Sequence, residues 1–203
     1  MNMNLYLFII FILLTFLISI AYIYGYKKNY KLIKSVSKKL ENELQPIDKT
    51  YTWLGGVIGF SANYVLEKIG NIKILFATIP RQSILFLPFS IIMGKYDKIE
   101  VLIPLNKNIE SNIIINKCRP FFKPKRRSNF NLKRIHMKEN SHKLIIDYDG
   151  NYEIVNNLIK ENSHFFRYGL YQFELNKEDN TCYLKLNRNG LNIINEIITK
   201  IHK

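Results

Sequence analysis

The sequence predicts an α+β protein: a single N-terminal transmembrane helix followed by one domain with a mainly antiparallel sheet and helices on one face. Three observations carry that reading. Residues 5–26 contain no charged side chain. In residues 97–105, Ile99, Val101, Ile103 and Leu105 alternate with Lys98, Glu100 and Leu102, the period of a strand with one buried face. The last third of the chain reads β-α-β-β-α, an order that lays helices on one side of an antiparallel sheet.

The anchor, residues 1–26, comes first. About 20 apolar residues at 1.5 Å each cross a ~30 Å hydrocarbon core, and lipid offers no water to satisfy free backbone groups, so the run is a helix. Tyr22, Tyr24 and Tyr26 stand at its far end, where amphipathic rings suit the headgroup layer. The rival is a cleaved signal peptide, which has a positive n-region, a shorter apolar core and a small-residue cleavage site. The four residues before the run carry no Lys or Arg and no A-x-A pattern follows it, so the expectation is a permanent anchor. Lys27, Lys28, Lys31 and Lys34 follow, with no acid until Glu41. By the positive-inside rule the N-terminus is outside and the rest is on the cytoplasmic face of a cell membrane.

About 175 residues remain (203 less 26), enough for one domain with a real core. The net charge is +14, which favours an anionic partner, lipid headgroups or nucleic acid. Only Cys118 and Cys182 are present, so no disulfide framework is expected and a reducing compartment suits the chain.

Residues 27–45 continue as a juxtamembrane basic amphipathic helix. Ile33, Val36, Leu40 and Leu44 form one stripe, the lysines lie largely off it, and Pro46 stops it. The domain proper is expected over residues 46–203. Gly55, Gly56 and Gly59 break an apolar stretch into a strand with a turn or bulge. Residues 73–79 read as a buried strand, Pro80, Arg81 and Gln82 as a turn, and residues 84–93 as a short apolar helix. Burial of that helix in the domain is the first expectation; contact with a membrane interface or a partner groove is the second. Arg81 argues against a true span, because a charge at the bilayer centre is costly. Pro104 suggests that the strand at 97–105 lies at a sheet edge.

Residues 117–143 carry ten Lys or Arg against the single acid Glu139, with Phe121, Phe122 and Phe130 interleaved. Pro120 and Pro124 disfavour helix, and a long basic loop is expected. Cations mixed with aromatics suit phosphate backbones and exposed bases, and equally a membrane surface. Lys123, Lys125, Arg126, Arg127, Lys133 and Arg134 are the candidates for binding RNA or lipid phosphate; a solvated loop is the bland alternative. Lys27, Lys28, Lys31 and Lys34 are the membrane-proximal candidates, each worth ~1 kcal/mol near anionic lipid.

In the C-terminal third, residues 142–147 read as a strand, Asp149 and Gly150 as a turn and residues 151–162 as a helix with Ile154, Val155, Leu158 and Ile159 on one face. Strands at 165–175 and 181–187 flank a polar turn at 176–180. Asn189 is the expected cap of a last helix whose stripe is Leu191, Ile194, Ile197, Ile198 and Ile201.

No catalytic set emerges. Cys118, His136 and His142 lack the spacing of a zinc site, the turn explains Asp147 and Asp149 better than acid–base work does, and there is no nucleophile elbow or P-loop. The expectation is a non-enzyme with no metal, no cofactor and no small-molecule substrate.

Gly25, Asn29 and Leu32 enter the juxtamembrane helix as Gly-x-x-x-Asn-x-x-Leu. Arg81 and Gln82 precede Ser83, Ile84 and Leu85, and Asp97 precedes an alternating strand that ends at Asn106. Over about residues 20–106 this resembles the calumin family, the coiled-coil-domain subunit of the endoplasmic-reticulum PAT complex. That family has one span, an N-terminus outside, the same glycine–asparagine entry and an Arg-Gln-Asp-Leu-Leu segment, where this chain has Ser83 in place of the Asp. A looser echo covers residues 164–187. The resemblance implies a factor assisting insertion of multi-pass membrane proteins beside the translocon and the ribosome. It does not carry calcium here, because the family's acidic lumenal region has only four residues as its counterpart. The family's basic coiled coil also has no counterpart, which leaves residues 117–143 as the candidate ribosome contact. The alternative function is a peripheral anionic-lipid-binding or envelope-organising domain.

Overall fold

The structure, a computed structural model, describes residues 3–119, 132–139 and 142–202. Helix α1 (Met3–Leu44) is continuous, about 63 Å at 1.5 Å per residue. Its first half is bare apolar surface, and it is long and apolar enough to cross a membrane. In its second half Ile33, Val36, Leu40 and Leu44 are buried. The helix ends where Gln45 turns to φ 45° and donates its N–H to the Glu41 carbonyl at 2.9 Å. Pro46 then blocks continuation.

Among the described residues nine strands form one antiparallel sheet. They are β1 (Asp48–Trp53), β2 (Gly59–Leu66), β3 (Gly70–Ala77), β4 (Lys98–Pro104), β5 (Ile113–Lys117), β6 (Lys133–Glu139), β7 (His142–Tyr148), β8 (Leu170–Asn176) and β9 (Thr181–Asn187). The spatial order is β1-β2-β3-β4-β9-β8-β5-β7-β6. Three further helices are α2 (Phe86–Ile92), α3 (Tyr152–Asn162) and α4 (Ile194–Ile201).

Alternation decides which face is covered. Phe60, Ala62 and Tyr64 of β2, Ile72, Ile74 and Phe76 of β3, and Ile99, Val101 and Ile103 of β4 are buried in one cluster with Cys182, Leu184 and Leu186 of β9. The α1 stripe, Val155 and Ile159 of α3, and Ile194, Ile197 and Ile198 of α4 belong to the same cluster. The other face is largely polar: Lys98 and Glu100 of β4, Gln172 and Glu174 of β8, Lys185 of β9.

The second half of α1 packs on the domain as an amphipathic helix does: it supplies core side chains and is clamped to β1, where Lys49 pairs with Glu41 at 2.6 Å and Tyr51 donates to Glu41 at 2.6 Å. Three expectations change. Pro104 does not mark an edge. It ends the interior strand β4, and since the Leu105 N–H points to Asn180 on the β9 side, residue 104's missing donor falls on the β3 side, where pairing has already stopped at Leu102. Phe165 and Phe166 belong to a 3-10 turn, Ser163–Phe166, rather than a strand. Last, it is the Asn187 side chain, not Asn189, that caps the next turn, accepting from the N–H groups of Asn189 and Gly190.

Part of the stretch expected as a long loop at 117–143 is strand: residue 117 ends β5, and residues 133–139 and 142–148 pair as β6 with β7 at one end of the described sheet, while residues 120–131 lie outside the described residues.

Candidate membrane-surface site

The site is built where α1 leaves its apolar half. Gly25 and Asn29 are both buried, one helical turn apart. A side chain on residue 25 would collide with the backbone of Arg81 and Gln82, so glycine is what lets the helix touch that segment. Asn29 reaches across with its amide: Nδ2 donates to the Ile79 carbonyl at 2.9 Å, to the Val57 carbonyl at 3.4 Å and to Gln82 Oε1 at 3.1 Å. Its Oδ1 accepts from Arg81 Nη1 at 2.9 Å. Arg81 in turn holds Asp97 with two parallel bonds of 2.7 Å. Asp97 Oδ1 also accepts the Ile79 N–H at 3.0 Å, and Arg188 stands 3.3 Å from Oδ2. A buried carboxylate with two guanidinium partners and a backbone donor is satisfied. Of the residues carrying the family resemblance, Gly25, Asn29, Arg81, Gln82 and Asp97 therefore meet in one place. Leu32 lies further along α1, half-buried.

This node fixes the level of α2. Counting from Leu5, Gly25 lies about 30 Å along the helix, the thickness of a hydrocarbon core. Helix α2 begins at Phe86, shortly after Arg81, and its pattern is inverted relative to a water-facing helix. Its one buried residue is the polar Ser90. Leu85 and Ile92 are each 72% exposed and Phe89 is 67% exposed. Helix burial in the domain, the first expectation for residues 84–93, is thus overturned: the domain covers only the serine. Pro88 is tolerated because it sits in the first turn, where N–H groups have no intrahelical partner. At the same node Asn29 and the Thr78 hydroxyl both bond the Val57 carbonyl. The β1–β2 turn so held exposes Leu54 and Ile58, next to Trp53 at the end of β1. Gly55 and Gly56 take positive φ there, as a tight turn needs. Sequence reading missed this second apolar tip, because its glycines drew attention to the turn and not to the side chains around it.

Between α2 and the polar face of the sheet lies a groove of about 560 Å³. Pro80, Phe86 and Met93 line its apolar side; Lys95, Lys98, Arg119 and Lys185 line the other. Arg119 stacks on the rings of Tyr96 and Tyr171, 4.7 and 5.1 Å from their centroids. The Tyr96 hydroxyl is buried with no hydrogen-bond partner among the described residues; burial pushes its pKa up to about 12 against the pull of Arg119. Burial holds Lys185 below the usual ammonium range, partly offset by Glu100. Glu100 is 2.7 Å from Lys98 and 3.8 Å from Lys185.

The phosphate-binding candidates divide. Lys123, Lys125, Arg126 and Arg127 lie outside the described residues. Lys133 is exposed on the edge strand β6. Arg134 is not a free cation: it is engaged by the buried Asp147 at 2.6 and 2.7 Å, which explains that aspartate better than the turn does. Lys27, Lys28, Lys31 and Lys34 all face solvent, just below the level of Gly25. Among the described residues no cluster of three or more His, Cys, Asp or Glu could hold a metal ion. The Cys182 thiol is buried, and its pKa is raised for that reason, so it is poorly suited to nucleophilic work.

No family model matches this chain, and no curated protein matches it.

Proposed function

We propose that this chain is a membrane-tethered, non-enzymatic interaction protein that assists insertion or folding of membrane proteins, close to the ribosome and translocon. In this reading α1 spans a cell membrane with its N-terminus outside, and the lysines from Lys27 to Lys34 hold the domain on the cytoplasmic face. The observation that carries the reading is α2, an apolar helix fastened beside the anchor with its greasy side uncovered. Such a surface is costly in water and at home against lipid tails or the helices of a client protein. The resemblance to the calumin family points the same way.

The test uses the full-length protein in detergent. It is expected to co-sediment with ribosomes at low salt and to release steeply as salt rises, the signature of phosphate contacts. Changing Lys125, Arg126 and Arg127 to Glu weakens that binding. Salt-independent association, or none, sinks the ribosome part. A photo-crosslinker at Phe89 is expected to capture transmembrane helices of nascent clients, and capture of nothing but lipid would favour the second reading. That reading, a peripheral anionic-lipid-binding domain, is supported by the cationic groove beneath α2.

A further inference from the structure

We infer that the groove between α2 and the polar sheet face is a binding site for one anionic phospholipid of the adjoining leaflet. The inference rests on the reading that α2 lies in the headgroup layer. Position comes first. The node of Gly25, Asn29, Arg81 and Asp97 ties the segment leading into α2 to the end of the apolar span. The groove under α2 therefore opens at headgroup depth, where free phosphate would have no advantage over lipid phosphate.

Its chemistry is two-sided, like the ligand. On the sheet side Lys95, Lys98, Arg119 and Lys185 converge, and among the described lining residues none is acidic. Glu100 stands behind Lys98 and Lys185 and offsets part of their charge, leaving a cationic excess for a phosphate diester. Tyr96 also lines the groove, and its ring holds the Arg119 guanidinium in place. Arg119 is pre-oriented by the two tyrosine rings, so little side-chain freedom is lost on binding. On the helix side Phe86, Met93 and Pro80 form an apolar wall along which an acyl chain runs back into the bilayer. The volume of about 560 Å³ suits a headgroup with the first part of its chains.

The test takes the full-length protein in nanodiscs of phosphatidylcholine with a small fraction of phosphatidylglycerol. Lipid retained after transfer to detergent is counted by native mass spectrometry. Expected is one phosphatidylglycerol per chain, enriched at least fivefold over its share in the disc. The variant Lys98→Gln/Lys185→Gln abolishes that enrichment, while Lys98→Arg/Lys185→Arg restores it. Neutralising Lys27 and Lys28 to Gln leaves it unchanged. Equal retention of both lipids, or enrichment that survives Lys98→Gln/Lys185→Gln, overturns the proposal. So does displacement of the lipid by millimolar inorganic phosphate, which would make the groove a plain anion site. Depth is read separately, from quenching by brominated lipid of a tryptophan introduced as Phe89→Trp in a Trp53→Phe background. Quenching without enrichment removes the lipid site and spares the placement of α2; absence of quenching removes both.

Discussion

A Cβ on Gly25 would lie 2.1 Å from the Arg81 carbonyl oxygen. Both contacting groups belong to backbone, so neither moves away cheaply. Gly25→Val is expected to destabilise the full chain by about 1–3 kcal/mol, the usual range for overpacking. That is a fall of at least ~2 °C in Tm for a domain of this size, read by thermal unfolding in detergent. An unchanged or higher Tm would mean that the helix and the Arg81 segment are apart in solution.

Removing Asp97 leaves Arg81, whose side chain is only 14% exposed, without its carboxylate partner. Asp97→Ala is expected to cost about 3–5 kcal/mol. The double change Arg81→Met/Asp97→Leu is expected to cost clearly less than Arg81→Met and Asp97→Leu added together. Denaturant midpoints for the four proteins close the cycle; additivity within ~0.5 kcal/mol would deny the coupling.

Truncation locates the domain boundary. A chain starting at residue 27 keeps Ile33, Val36, Leu40 and Leu44, whereas one starting at residue 46 loses all four from the core. At ~1.5–3 kcal/mol per buried side chain, their loss is comparable to the whole stability of a small domain, roughly 5–15 kcal/mol. The shorter chain is expected to lack a cooperative transition by circular dichroism and the longer one to show it. Cooperative folding of both would detach α1 from the core.

On the longer of those chains, Phe89→Ser and Ile92→Ser are expected to leave unfolding free energy within about 0.5 kcal/mol, as exposed positions do. Flotation with vesicles should nevertheless fall severalfold. Equal flotation would place the membrane contact elsewhere.

Alkali tests the buried phenol. The Tyr96 pKa is raised by burial to about 12, so above its ordinary value near 10 the unfolded chain loses the proton first. The stability it contributes is complete below pH 10 and is lost between about 10 and 12. Tyr96→Phe should therefore flatten the decline of Tm across that interval. An identical decline in both proteins would assign it to other tyrosines, such as Tyr183, whose pKa burial also raises.

Much of the fold is legible because period decides it. The stripe on α1 and the strand Thr181–Asn187 follow from spacing alone, and both are where the pattern puts them. Phe165 and Phe166 mislead because two adjacent apolar residues look like strand, yet both are buried in the same cluster, which a one-faced strand does not allow and a 3-10 turn does. The apolar character of α2 is readable, but its surroundings are not: a run of Leu, Phe and Ile reads alike whether protein or lipid is to cover it. Nor does any local signal join Asn29 to Arg81, 52 residues away. Arg188 escapes notice altogether, since nothing near it announces that it reaches Asp97.

Helix α1 has no break between Met3 and Leu44, and its lower portion is gripped at Asn29 and again at Leu40 and Leu44. A rod clamped below cannot swivel above. Every side chain from Leu5 to Tyr24 thus keeps a constant compass bearing relative to the body, and a neighbour arriving from any one quarter always meets the same ridge. Splicing a single residue in above Gly25 would swing that outer portion by about 100° and present a different ridge, with the body beneath left as it was.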